Sequence, residues 1–120
     1  MKNVTLVIGA SLNKDRYSNI AIKKLRESKL PVYALGLREG MVLDVKIDTE
    51  RISYKNIDTV TLYLNPKRQE DYYNYIINLK PRRVIFNPGT ENLKFLEMLQ
   101  ENNIESEMAC TLVLLSTNQY

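Results

Sequence analysis

The sequence contains no histidine, no tryptophan and a single cysteine, Cys110. Without an imidazole it cannot build a Ser-His-Asp or Cys-His catalytic site, and it has no histidine ligand for a metal. One cysteine also excludes an internal disulfide and a thiolate-rich zinc or iron–sulfur site within one chain. Catalysis would therefore rely on carboxylates, lysines, tyrosines and backbone dipoles. We predict a ligand-binding protein that is not an enzyme, with neither catalytic residues nor a metal site.

Glycine and proline are also scarce, with four of each among 120 residues, while 44% of the residues are hydrophobic and 26% are charged. This composition is typical of a folded globular protein, and the length suits one domain over residues 1–120. The 17 lysines and arginines exceed the 14 acidic residues by three. If clustered, this excess favours an anionic ligand, but it falls short of the basic stripe of a nucleic-acid-binding protein.

Long hydrophobic runs are missing. No stretch approaches the ~20 apolar residues that cross a bilayer. The apolar run that follows Met1 is too short for the core of a signal peptide. We therefore expect a cytoplasmic protein that keeps its thiol reduced and does not contact membranes.

Hydrophobic patterns along the chain alternate between those of strands and those of helices. They predict strands over residues 4–8, 32–35, 60–64, 83–86 and 104–108. Helices are predicted from Ser18, as N-cap, to Pro31, then over residues 69–79 and 93–99, with residues 109–115 favoured as a terminal helix over a strand. Between residues 37 and 58 the pattern allows short strands at 41–43 and 45–47 and one helical turn at 49–55.

Strands that alternate with helices require parallel pairing, because each helix is a right-handed crossover between two strands. The predicted fold class is therefore α/β, a three-layer, doubly wound, Rossmann-like parallel sheet of about five strands. An Asn-Pro pair follows two of the strands, at Asn65-Pro66 and Asn87-Pro88. An asparagine cap followed by proline is a favoured way to open a helix.

Ligands of such a sheet bind beyond the carboxyl ends of its strands. The first of these ends carries Gly9, Ala10 and Ser11. A glycine there lets a phosphate approach the backbone, and the next helix offers unpaired N–H groups and the positive end of its dipole. Ser11 and Ser18 would add hydroxyl donors, while Lys14 and Arg16 would add positive charge. The alternative is that Gly9 only permits a tight turn and that the two cations are solvated.

The residues that follow the second predicted strand indicate which kind of nucleotide would bind. The dinucleotide pattern G-x-G-x-x-G is incomplete, because only its first glycine, Gly9, is present. Nicotinamide enzymes usually place an acid after the second strand, whereas this chain has Gly36, Leu37 and Arg38. An arginine there suits a phosphorylated ribose, as in coenzyme A or NADP. An exposed loop arginine without a ligand is the alternative.

Two segments together resemble a known family. Val7-Ile8-Gly9-Ala10-Ser11, followed by Arg16-Tyr17-Ser18-Asn19 opening a helix, is similar to the small stand-alone coenzyme A-binding proteins. Their Rossmann-like fold is shared with the coenzyme A-binding domain of succinyl-CoA synthetase α chains. The resemblance covers nearly the whole chain, including Pro66 after the third strand and Cys110 after the last. Many members have Asn-Pro directly after the second strand, where this chain has Gly36-Leu37-Arg38.

The resemblance implies which residues would hold coenzyme A. Those around the diphosphate would be Gly9, Ala10, Ser11, Arg16, Tyr17 and Ser18, and those flanking the adenine, ribose and pantetheine would be Leu37, Arg38, Asn65, Pro66 and Lys67. The function so implied is non-catalytic binding of coenzyme A or an acyl-CoA through its phosphorylated ADP moiety. A small NADP-dependent oxidoreductase or nucleotide sensor is one alternative. A protein-interaction module that has lost its ligand is the other.

We predict structural roles, rather than binding or catalytic ones, for Cys110 and for one basic cluster. A mixed disulfide with coenzyme A is conceivable at Cys110, but a lone cysteine in an apolar stretch is usually a buried hydrophobe. The basic cluster Lys80, Arg82 and Arg83 lies at the amino end of a strand, so we predict a solvated turn. The partners considered are the nucleotide ligand and a second copy of the chain in a homodimer.

Overall fold

The computed structural model describes residues 4–120 of the chain. Its strands are β1 (Thr5–Ala10), β2 (Val32–Gly36), β3 (Gly40–Val42), β4 (Val45–Asp48), β5 (Thr59–Leu62), β6 (Arg83–Phe86) and β7 (Glu105–Met108). Its helices are α1 (Tyr17–Glu27), α2 (Pro66–Gln69), α3 (Tyr73–Leu79), α4 (Leu93–Glu101) and α5 (Thr111–Ser116), with a 3-10 turn at Glu70–Tyr72 between α2 and α3. The five predicted strands and the terminal helix are present with small shifts in their ends.

The sheet is mainly parallel and has the order β3-β4-β2-β1-β5-β6-β7. Every neighbouring pair is parallel except β3 with β4, which form an antiparallel hairpin at one edge. The chain moves outward from β1 first in one direction, to β2, and then in the other, through β5 to β7. The α/β, doubly wound fold is therefore confirmed, with seven strands rather than about five.

Both faces of the sheet are covered by helices. Side chains of β1 alternate between the faces, because Leu6 and Ile8 belong to one core cluster while Val7 belongs to the other. The first cluster contains side chains of α3 and α4, including Tyr73, Ile76, Phe95 and Leu99. The second contains Ile22 and Leu25 of α1. This arrangement gives the three predicted layers.

The segment after β4 is not helical. Instead of a turn of helix at residues 49–55, the chain has irregular structure, and Tyr54 packs against the first core cluster. The Tyr54 ring stacks on that of Tyr33, with centroids 4.5 Å apart, and its hydroxyl donates to Asp48. These contacts to distant residues outweigh a local helical preference, which is too weak to hold a single turn.

The helix starts differ from their prediction in two places. Ser18 is not the N-cap of α1, because the N-cap is Arg16, two residues earlier, and Ser18 is buried in the first turn. Asn65 does cap α2, where its Oδ1 accepts from the Arg68 N–H at 2.9 Å and Pro66 takes the first helical position. Asn87 caps no helix, however, and Asn92 is the N-cap of α4.

Asn87 instead joins three parts of the fold. It is buried, and its side-chain amide donates to Thr61 Oγ1 at 2.6 Å and to the Leu62 carbonyl at 2.9 Å. Its Oδ1 accepts from the backbone N–H of Thr111 at 2.9 Å. A single side chain therefore connects β6, the end of β5 and the start of α5.

The basic cluster at the amino edge of the sheet is not a solvated turn throughout. Arg83 is only 5% exposed, and its Nε donates to Thr59 Oγ1 at 2.9 Å. Its guanidinium also lies 4.6 Å from the centroid of the Tyr120 ring. Arg82 forms two hydrogen bonds with Asp58, and this guanidinium holds the pKa of the Asp58 carboxyl below its usual value.

We expect Asn87→Ala to lower the free energy of unfolding by about 3 kcal/mol, because it leaves a buried carbonyl and a buried N–H without partners. Urea denaturation followed by circular dichroism measures this loss, with an unchanged m-value. The control is Asn74→Ala, on the exposed face of α3, which should change stability by less than about 0.5 kcal/mol. A similar loss in both variants would contradict the role of the buried amide.

Candidate functional site

A cavity of about 530 Å³ opens at the carboxyl edge of the sheet. It lies where the chain direction across the sheet reverses, and its walls are the loops that follow β1, β2, β5 and β6. The lining residues are Gly9, Ala10, Ser11, Leu12, Asn13, Arg16, Tyr17, Ser18, Gly36, Leu37, Arg38, Tyr63, Leu64, Asn65, Arg68, Tyr72, Pro88, Gly89 and Thr90. Its volume is within the range of about 300–1,000 Å³ that is usual for small-molecule sites.

Glycine backbone forms the floor of the cavity. Gly9 has a φ of +94°, and a Cβ there would lie 2.9 Å from the carbonyl carbon and oxygen of Tyr63. A Cβ on Gly36 would lie 2.3 Å from the carbonyl oxygen of Ala10. The ends of β1, β2 and β5 therefore approach one another at distances that only glycine permits.

The amino end of α1 faces this floor. Arg16 and the next two residues, Tyr17 and Ser18, all line the cavity, and the N-cap makes no side-chain hydrogen bond. The first turn carries no acid that would offset the helix dipole. Backbone N–H groups and the positive end of the dipole are therefore available to an anion at this wall.

The loop between β1 and α1 is held by its own polar side chains. Ser11 Oγ accepts from the Asn13 N–H at 3.0 Å, and Asn13 Oδ1 accepts from the Asp15 N–H at 2.9 Å. From α1, the buried Asn19 donates to the Ser11 carbonyl at 2.8 Å. The loop is thus fixed beside the helix before any ligand binds.

Three arginines line the cavity, and the remaining four lie elsewhere. Among the residues that the structure describes, Arg16, Arg38 and Arg68 form no ion pair, and no acidic side chain lines the cavity. The other arginines are all engaged: Arg26 with Asp44, Arg82 with Asp58, Arg83 with Glu107, and Arg51 over the ring of Tyr72. The unpaired guanidinium groups are thus gathered at this one site.

A buried amide ties two walls of the cavity together. Gln69 is fully buried, and its Nε2 donates to the carbonyl of Leu64 at 2.8 Å and to that of Thr90 at 2.7 Å. Its Oε1 accepts from Asn92, which also donates to the hydroxyl of Tyr73. Because Leu64 and Thr90 both line the cavity, the loops after β5 and β6 are held at a fixed separation.

The aromatic lining residues differ in their surroundings. Tyr63 is largely buried, and burial raises the pKa of its hydroxyl to about 12, so it is neutral at physiological pH. Tyr17 and Leu37 are 70% and 74% exposed and form an apolar rim. Tyr72 stands at the opposite rim, with the guanidinium carbon of Arg51 at 4.4 Å from its ring centroid.

Nine of the predicted site residues line the cavity: Gly9, Ala10, Ser11, Arg16, Tyr17, Ser18, Leu37, Arg38 and Asn65. Three do not, because Lys14 lies on the exposed turn between Asn13 and Asp15, while Pro66 and Lys67 face solvent in the first turn of α2.

Sequence reasoning missed Arg68 and Tyr72. Their spacing from the Asn65 cap, three and then four residues, places all three on one side of the helical segment. That spacing was the signal that could have found them.

The described part of the chain has neither a metal-binding cluster nor a membrane-spanning helix. Within residues 4–120, no group of three acidic or cysteine side chains could hold a metal ion. In the same range, no helix combines the length and the apolar character needed to cross a membrane.

Comparisons with known proteins agree with this geometry. A family model described as a CoA binding domain matches residues 3–116. A solved structure of an uncharacterised protein is 44% identical, with a TM-score of 0.96 over 100% of this chain and 99% of the other. No curated protein matches the chain.

More distant structures share the fold. A hypothetical protein from Pyrococcus horikoshii OT3 is 28% identical, with a TM-score of 0.83 over 97% of this chain and 82% of its own. A protein from Thermus thermophilus is 17% identical, with a TM-score of 0.86 over 99% of this chain and 91% of its own. The latter likeness concerns the fold alone.

The close approach of Gly9 to Tyr63 can be tested by comparing Gly9 with Gly89. The two glycines have nearly equal φ angles of +94° and +91°. Gly9→Ala adds both backbone strain and overlap with Tyr63, so we expect it to lower the free energy of unfolding by about 3 kcal/mol. Gly89→Ala adds a Cβ with nothing within 4 Å, so strain alone should cost about 1 kcal/mol. Urea denaturation measures both losses, and equal values would contradict the close approach at Gly9.

Proposed function

Because the chain belongs to the CoA-binding domain family, we propose that it binds coenzyme A, or an acyl-CoA, without catalysing a reaction. The phosphorylated ADP moiety would occupy the cavity at the carboxyl ends of the parallel strands. The observation that carries this proposal is the collection of three unpaired arginines in a cavity without acids. Such a site suits a ligand with several negative charges, and coenzyme A carries a diphosphate and a ribose phosphate.

The diphosphate fits best at the amino end of α1. There the backbone N–H groups of the first turn, the helix dipole and Arg16 act together on an anion. Gly9 allows close approach, since it has no side chain between the ligand and the backbone. The uncapped start of α1 supports this placement, because a phosphate would supply the acceptor that no side chain provides.

The nucleoside fits best over the end of β2. In doubly wound folds the residue after the second strand contacts the ribose, and an arginine there accommodates a ribose phosphate. Arg38 is in that position, beside the exposed Leu37. Across the rim, Tyr17 offers a ring on which a base could stack. These groups supply the charge and the apolar surface that a phosphorylated adenosine needs.

The side chains around the cavity support binding rather than catalysis. No carboxylate, lysine or thiol lines it among the described residues, and the hydroxyl of Tyr63 is held neutral by burial. General acid–base catalysis uses a group whose pKa is close to the working pH. Arginine, serine and threonine, which provide most of the polar lining, do not meet this condition.

We expect the protein to bind coenzyme A at least tenfold more tightly than dephospho-CoA, because a charge-assisted hydrogen bond contributes about 1.5–3 kcal/mol. Isothermal titration calorimetry with coenzyme A, dephospho-CoA and NADP measures this preference. Arg38→Gln should weaken coenzyme A binding by about tenfold or more and leave the affinity for dephospho-CoA nearly unchanged.

The control for the loss of one positive charge is Lys55→Gln, since Lys55 is exposed in the loop that leads into the amino end of β5. It should bind all three ligands as the unmodified protein does. Absence of heat with all three compounds would overturn the proposed function. Tighter binding of NADP than of coenzyme A would favour the alternative of a nicotinamide-nucleotide protein.

A further inference from the structure

Arg68 lies on the wall of the cavity opposite Arg38. β2 and β5 are the two neighbours of β1 in the sheet, on its opposite sides. Arg38 follows β2, while Arg68 follows β5. A ligand whose diphosphate sits at the end of β1 and whose nucleoside lies over β2 must therefore extend its other end over β5 and β6. For coenzyme A, that end is the pantetheine arm with its thiol or acyl group.

Resting on the proposed function, we propose that Arg68 makes this site selective for CoA thioesters whose acyl group ends in a carboxylate. The diphosphate and the ribose phosphate already have cations in Arg16 and Arg38. Arg68 has no ion pair within the described residues, and its guanidinium presents the planar, two-pronged set of donors that a carboxylate accepts.

The backbone of Arg68 is held firmly for this role. Its N–H donates to the Asn65 cap at 2.9 Å. The next residue, Gln69, is fully buried and bonded to the carbonyls of Leu64 and Thr90. The start of α2 is thereby fixed to both neighbouring loops, so the side chain extends from a rigid base.

Polar groups lie on the same side of the cavity as Arg68. Asn65 and Thr90 line it there, beside the apolar surfaces of Leu64, Tyr72 and Pro88.

Nearby acids do not neutralise this wall. Glu91 accepts a hydrogen bond from the Gly89 N–H at 2.9 Å, but it does not line the cavity. Glu70 and Asp71, which follow α2, do not line it either. Arg68 thus remains available to an acidic group of the ligand.

The test compares acyl groups of matched length. Succinyl-CoA and butyryl-CoA have the same number of acyl carbons and differ in the terminal carboxylate. We expect succinyl-CoA to bind about tenfold more tightly than butyryl-CoA, measured by isothermal titration calorimetry at fixed ionic strength. Arg68→Gln should abolish this preference, so that the affinities for succinyl-CoA and butyryl-CoA come within about threefold of each other. Lys55→Gln, which removes a distant charge, should retain the preference.

Each contrary outcome has a distinct meaning. Equal binding of the two thioesters by the unmodified protein overturns the inference while coenzyme A binding itself stands. If Arg68→Gln weakens coenzyme A and both thioesters by the same factor, Arg68 binds a phosphate instead and the inference is wrong. If none of the compounds binds, the proposed function fails and this inference fails with it.

Discussion

The carboxyl edge of the sheet depends on the contact between the backbone of Gly9 and the carbonyl group of Tyr63. This contact leaves no room for a Cβ and brings the ends of β1 and β5 together. On the other side of β1, Gly36 makes a similar approach to Ala10. With three strand ends so close, the loops that follow them must diverge, and the cavity is the space between those loops. A doubly wound order provides the crevice, and these glycines leave its floor free of side chains.

Features that rest on local signals could be predicted from the sequence. The strands follow short β-favouring runs, and the Asn65-Pro66 start of α2 follows from cap chemistry that involves only neighbouring residues. Features that rest on contacts between residues far apart in the chain could not be predicted from the sequence. Arg83 is buried because it meets Thr59 on the neighbouring strand and the ring of Tyr120 near the end of the chain. Tyr54 draws its segment away from a helix in the same way, by stacking on Tyr33.

The candidate site shows the same division. The fold rule was enough to select the loops, since it requires only the order of strands and helices. It could not select individual side chains within α2, where the family resemblance implied Lys67. The helix turns that residue toward solvent and presents Arg68 to the cavity instead. Side-chain direction within a helical turn depends on where the helix begins, and here Asn65 sets that start.

The distribution of arginine partners separates the stabilising charges from those available to a ligand. Arginines at the amino edge and on the outer helices meet carboxylates or aromatic rings, so their charges are already compensated. Those at the cavity have no carboxylate partner within the described residues, so their positive charges add in the potential that an anion meets there. Binding and folding stability are then linked, because a ligand that binds only the folded chain stabilises it.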